Sequence, residues 1–195
     1  MRVVCRAVVL SIAACLLTPA SASAYTLGAL DPHPNDGEGC GNVGVLYIDD
    51  EMPYQGPGPG RPSVSYVPAG GGTITSWTTG AHPKGLRVRF ALVRQAENRE
   101  GVFVEHRSRV HKIKRDKGDS HFKAHLRAEA GEQIALDVLN QNEIALDCFF
   151  SVKRTDFVWV ANDMPTRGTL HDYLAGDGYS DSRLDLRAHL VRKRS

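Results

Sequence analysis

The stretch Gly85-Leu86-Arg87-Val88-Arg89-Phe90-Ala91-Leu92-Val93 sets Leu86, Val88, Phe90 and Leu92 on every second position, with Arg87 and Arg89 between them. A period of two puts the apolar side chains on one face of a pleated strand and the arginines on the other, so the pattern predicts a strand with one face in a core. The same alternation recurs along the chain. Ile134, Leu136 and Val138 alternate within 132–140, Leu184, Leu186, Ala188 and Leu190 alternate near the C-terminus, and Thr73-Ile74-Thr75-Ser76-Trp77-Thr78-Thr79 is rich in β-formers. Strands are also predicted over 43–48, 63–67, 101–113, 120–130, 144–152 and 156–161. Gly118 supplies the positive φ of a tight loop, so 101–113 and 120–130 are expected to pair as a hairpin.

About ten short strands with turn residues between them and no amphipathic helix predict an all-β antiparallel β-sandwich over residues 43–192. Residues 25–42 read as an irregular, polar N-terminal arm, and 193–195 as a polar tail. The acids in Asp31-Pro32-His33-Pro34-Asn35-Asp36-Gly37-Glu38 do not have calcium-loop spacing. The run Gly56-Pro57-Gly58-Pro59-Gly60-Arg61-Pro62 cannot pair in a sheet and reads as a surface loop. Gly70-Gly71-Gly72 lacks the Lys-Ser/Thr and the helix of a phosphate cradle, and so reads as a turn between strands.

The N-terminus has the anatomy of a secretory signal. Arg2 and Arg6 precede an apolar run from Ala7 to Leu17 that is too short to span a bilayer, and Ala22-Ser23-Ala24 offers small residues at −3 and −1. Residues 1–24 are therefore expected to be a signal peptide cut between Ala24 and Tyr25. A rival reading makes Ile12-Ala13-Ala14-Cys15 a lipobox, with acylated Cys15 as the membrane anchor. No later apolar segment approaches membrane-spanning length. Cleavage removes two arginines and no acids, leaving 22 basic and 22 acidic residues, so no nucleic-acid partner is expected.

Val67-Pro68-Ala69-Gly70-Gly71-Gly72-Thr73-Ile74-Thr75-Ser76-Trp77, the strand at 86–93 and Ala128-Glu129-Ala130-Gly131-Glu132-Gln133-Ile134-Ala135-Leu136 resemble the repeating marks of secreted actinobacterial β-sandwich proteins. Ala135 stands where that group often has Gly. The likeness covers most of 40–192, and it implies a jelly-roll-like domain with no catalytic residue to carry over.

Chemistry is sparse. His121 and His125 share a face of a strand roughly 13 Å apart, too far to ligate one ion together, and a cross-strand His111 would be needed to complete a site, so no metal or cofactor is expected. There is no Gly-x-Ser-x-Gly elbow. A hydrolase built on carboxylates brought together by folding leaves no mark in sequence and stands as one alternative. The main reading is a non-enzymatic binding or structural module of the envelope or extracellular space, with a cell-wall glycan or an anionic polymer as partner. Trp77 has the wrong parity to share the face of Ile74, which makes it a candidate for stacking on sugars if exposed; the alternative, preferred because large aromatics are mostly buried, is that it covers the edge of the core. Strand alternation in the expected hairpin points Val102, Val104, Val110, Phe122, Ala124 and Leu126 inward. It sends Arg107, Arg109, His111, His121, Lys123, His125 and Arg127 outward as one basic face.

Of four cysteines, Cys40 and Cys148 survive cleavage, and an even pair in an exported protein is expected to bond. The bond would close a loop of about a hundred residues and stabilise by roughly 4 to 5 kcal/mol at most in the chain-entropy model. Thiol labelling of the unfolded, unreduced mature protein should therefore find no reactive thiol; two per chain would contradict the pairing.

Overall fold

The computed structural model describes residues 23–30, 38–40, 45–51, 65–80, 84–97, 101–115, 118–139, 145–151, 156–162 and 170–192. The expected signal segment up to residue 22, the acid-rich 31–37 run, the glycine-proline loop, residues 140–144 and the 193–195 tail lie outside them. Every regular element among the described residues is a strand. In order they are β1 (Ala24–Ala29), β2 (Glu38–Cys40), β3 (Val45–Glu51), β4 (Gly72–Thr79), β5 (Arg87–Gln95), β6 (Gly101–Arg107) and β7 (His111–Lys112). There follow β8 (Ser120–Ala128), β9 (Gln133–Val138), β10 (Ala145–Ser151), β11 (Asp156–Asn162), β12 (Leu170–Ser180), β13 (Ser182–Leu184) and β14 (Leu186–Val191).

One antiparallel sheet runs β1-β14-β4-β8, and a small one runs β13-β10-β2. The third closes on itself. β5 pairs with β9 along one edge and with β6, then β7, along the other; β6 pairs with β12, β12 with β11, β11 with β3, and β3 with β9. A closed ring has no edge strand to protect.

Alternation sorts the ring's side chains between two cores. Tyr47, Val88, Phe90, Leu92, Leu136 and Val158 point out of the ring and pack on Leu27, Ile74, Trp77, Leu186, Ala188 and Leu190 of the four-stranded sheet, so the layers face one another as in a sandwich. The opposite face holds Leu46, Ile48, Ala91, Val93, Val102, Val104, Ala135 and Ala161 as a second cluster inside the ring. Three alanines among them leave room inside the ring for Leu46 and Ile48. The expected strand at 85–93 is therefore present, but the expectation of one buried face is corrected: Ala91 and Val93 are as fully buried as Phe90 and Leu92.

The expected hairpin between 101–113 and 120–130 is also corrected. β6 turns back on β5, with Arg94 opposite Phe103, whereas β8 pairs with β4, with Trp77 opposite Phe122. The reason is that Val102 and Val104 belong to the ring interior while Phe122 and Leu126 pack on the shared core, so the two strands serve different cores. Gly118 does adopt positive φ, at 79°, but between sheets. Val110 lies between strands and is 37% exposed, not in the core.

The arm read as irregular contains a strand, and so does the glycine-bearing segment 170–180. In the 25–42 arm, β1 pairs with β14 from Ala24↔Val191 to Ala29↔Leu186, burying Leu27, and Arg192 holds this end with a bond of 3.0 Å to the Tyr25 hydroxyl. β12 spans Gly176 and Gly178, held by β11 on one side and β6 on the other with a register shift between Trp159 and Ala161. Neither has the alternation that would reveal it. In β1, Gly28 has φ 72°, and a Cβ there would lie 2.0 Å from the Leu186 carbonyl oxygen, whereas Gly118, at φ 79°, has nothing within 4 Å. Gly118→Ala should cost about 1 to 2 kcal/mol, the price of a left-handed backbone alone. Gly28→Ala should lower the midpoint of thermal unfolding several times further, because β1 must also leave β14.

Candidate functional site

β8 forms an edge of the four-stranded sheet. Phe122, Ala124 and Leu126 pack toward the shared core, while His121, Lys123, His125 and Arg127 are exposed on the other face. The sequence pattern of β8 is thus realised strand-long, and His121 is tied across to β4 by 2.9 Å between its Nδ1 and the Thr78 Oγ1.

The facing wall is Arg107-Ser108-Arg109, where the chain passes from β6 to β7 beside β5. Ser108 is pinned at three points. Its N–H donates to the Phe90 carbonyl at 2.8 Å, its Oγ accepts from the Phe90 N–H at 3.0 Å, and the same hydroxyl donates to the Arg109 carbonyl at 2.9 Å. A serine side chain here replaces a ladder bond that the irregular backbone leaves unmade, and so fixes where both arginines leave the chain.

Arg107 stands opposite Ala91 and therefore on the ring-interior side, with its side chain 11% exposed. On that side Arg89 stands opposite Asp137, whose side chain is fully buried. Arg89 Nε donates to Asp137 Oδ2 at 2.6 Å, and Arg107 Nε lies 4.0 Å from the same oxygen. A lone carboxylate at this depth would cost several kcal/mol, which the guanidinium contacts offset. The outward arginine face expected for β5 is thus half right: Arg87 is exposed and Arg89 turns into the ring.

Between the two walls lies an open cleft of about 400 Å³ lined by Arg107, Ser108, Arg109, Lys123, Ala124, His125 and Leu126. Among the described residues, no carboxylate lines it. His125 also borders a larger groove of about 700 Å³ along Gly70–Thr73 and Arg127–Ala130, but there Arg127 is paired with Glu129 at 3.3 Å. Glu129 and Glu105 both approach Arg94, each at 3.5 Å, away from the cleft's lining. Glu132, buried beside them, has its carboxyl pushed above the usual range by loss of water, opposed by the N–H of Glu129, which donates to it at 2.8 Å.

Four of the seven residues expected on one basic face, Arg107, Arg109, Lys123 and His125, thus meet in the cleft. They do so across two sheets and not on one hairpin. Arg127 borders the adjoining groove and His121 stays on the open face. His111 is corrected: its ring turns inward, 4.2 Å from that of Phe122 and 5.5 Å from that of Trp77. Trp77 takes the buried one of its two readings, being 1% exposed and stacked on Phe90, so as the sugar-stacking candidate it offers no platform. Its parity failed as a guide because β4 carries an extra residue there. Ser76 pairs with His189 but Ile74 with Leu190, which leaves Thr75 over and returns Trp77 to the face of Ile74. Cys148 is fully buried on β10, next to β2, which carries Cys40; the Cys40 side chain lies outside the described residues. Among the described residues, no three His, Cys, Asp or Glu side chains are grouped to hold a metal ion. The contribution of Ser108 and Asp137 had no signal in the sequence beyond their polarity. No protein-family model, curated protein or solved structure matches the chain.

His111 titrates below the ordinary histidine range, chiefly because it has left water and secondly because Arg109 is near. Its Nε2 is buried without a hydrogen-bond partner among the described residues, so protonation there would bury a charge and an unanswered donor. A lowered folded pKa means that the unfolded chain binds the proton first, so stability is full above about pH 6.5 and falls as pH drops toward the folded value. Melting temperature measured from pH 8 to pH 5 should fall, and His111→Phe should flatten that slope; an unchanged slope would exclude His111 as its source.

Proposed function

We propose that the chain is an exported, non-enzymatic binding module of the cell envelope or extracellular space, and that the cleft between β8 and the Arg107–Arg109 wall is where it holds an anionic polymer. The observation that carries this reading is three permanent cations, Arg107, Arg109 and Lys123, lining one concavity with no acid among the described residues of its lining. On a mature chain of zero formal net charge, such a concentration of one sign is local, and a cleft focuses its field on ligands of opposite charge.

Export is supported by the leader pattern. The Cys40–Cys148 bond belongs to the same proposal, and its support is that Cys148 stands in disulfide form on the strand beside β2. Among the described residues no helix is long and apolar enough to cross a membrane.

Binding of the mature protein to a phosphate- or sulfate-rich polymer should weaken steeply between 50 and about 300 mM salt, as expected where screening shortens the reach of charge to about 6 to 8 Å. An Arg109→Ala, Lys123→Ala double variant should bind about tenfold or more weakly while melting as the parent does. Affinity indifferent both to salt and to the double change would overturn the reading.

A further inference from the structure

We infer that the solvent face of the four-stranded sheet is a track for a linear, phosphate-linked polymer, which lies along β4 between the basic side chains of β8 and β14. The inference rests on the anionic-polymer reading above and carries the polymer beyond the cleft, onto the face of the sheet turned away from the ring.

The first support is how charge is sorted among the strands. The chain has 22 acidic residues, yet β1, β4, β8 and β14 contain none. Arg187 and His189 of β14 are exposed, as are His121, Lys123, His125 and Arg127 of β8. The acids nearest in sequence come at the strand ends, with Asp119 before β8, Glu129 after it and the buried Asp185 before β14. Glu129 answers Arg127 at 3.3 Å, whereas neither Arg187 nor Lys123 is ion-paired among the described residues.

The second support is register. His189, Ser76 and Lys123 stand opposite one another across β14, β4 and β8, and so do Arg187, Thr78 and His121. Each row sets a hydroxyl between a permanent cation and a histidine. Strands two places apart in a sheet are separated by about 10 Å. Over that width the long side chains of β8 and β14 flank the short Thr73, Thr75, Ser76 and Thr78 of β4, so the face is a shallow trough with a hydroxyl floor and basic walls. Its floor runs roughly 17 Å from Thr73 to Thr78 at the rise of a strand. One wall is tied to the floor, where His121 Nδ1 lies 2.9 Å from Thr78 Oγ1. At the Thr73 end the trough opens into the groove of about 700 Å³, where Thr73, His125 and Arg127 meet the bare backbone of Gly70, Gly71 and Gly72.

The chemistry of the polymer follows from that shape. Charges carried in a polymer's backbone pass within reach of both walls at every repeat, whereas ester groups hanging from a sugar face one wall. Single-stranded nucleic acids also carry backbone phosphate, but proteins hold them by stacking their bases on aromatic rings. The aromatic residues of the four strands, Tyr25, Trp77 and Phe122, all pack on the core side. A polyol or sugar chain linked by phosphates asks only for cations and hydroxyls, and the rows supply both.

The test is an NMR titration of the isotope-labelled mature protein with poly(glycerol phosphate), dextran sulfate and oligothymidylate at matched ionic strength. Saturable shifts at Thr73, Thr75, Ser76, Arg187 and His189 are expected with poly(glycerol phosphate), at lower concentration than with either of the others. An Arg127→Ala, Arg187→Ala double variant should bind it about tenfold more weakly. Both side chains are exposed, melting checks that the variant folds, and the shift map of the parent needs no variant. Shifts confined to Ser108, Arg109 and their neighbours, with affinity untouched by the double change, would overturn the track and leave the cleft reading standing. Absence of binding anywhere would overturn both. Dextran sulfate or oligothymidylate saturating the face as tightly would overturn the choice of a phosphate-linked polymer without bases.

Discussion

The structure depends on β5 being dry on both faces. Phe90 and Leu92 on one side and Ala91 and Val93 on the other are fully buried, so this strand cannot be the boundary of any layer. Each large apolar side chain kept from water contributes roughly 1.5 to 3 kcal/mol, and here the two sets must be covered by different partners. The four-stranded sheet covers one. Only a sheet that curls back on itself covers the other, and the pairing of β6 with both β5 and β12 accomplishes that.

Closure has a polar consequence. A ring interior narrow enough to be filled by alanine and valine in its middle opens at its end, and there the alternation that buries Ala91 also commits Arg89 and Arg107 to the inside. Asp137 is what makes their burial tolerable, because a buried charge is stable only when paired and hydrogen-bonded. The basic cleft outside is the continuation of that arrangement: Arg107 belongs to the ring end and to the cleft at once, and Ser108 couples the position of Arg109 to the backbone of Phe90 in the core. The candidate site is therefore placed by the same strand on which both cores rest.

Trp77 joins the layers at their centre. It meets Phe90 of the ring at 5.9 Å and Phe122 of its own sheet at 4.5 Å, and His111 closes the group from the β7 side. A one-residue irregularity in β4 is enough to turn this indole from solvent to core. Alternation counts residues and has no means of registering an extra one, which is why a parity argument that holds along β8 gives the opposite answer on β4.

The sequence by itself determined the all-β class, most strand positions, the inward faces of β5, β8, β9 and β14, and the exposure of His121, Lys123, His125 and Arg127, because each of these follows from a period of two read against residue polarity. Lys123 and His125 of the cleft were legible for the same reason, whereas Arg107 and Arg109 reach it from an irregular segment that alternation does not describe. What only the tertiary structure decided is which strands pair, that the larger sheet closes, that Arg89 and Arg107 turn inward toward Asp137, that Trp77 lies in the core, and that the His111 ring turns toward it. Pairing partners are chosen by burial on both faces at once, and ring closure and a local register shift are properties of strands in contact, for which one strand's pattern holds no record.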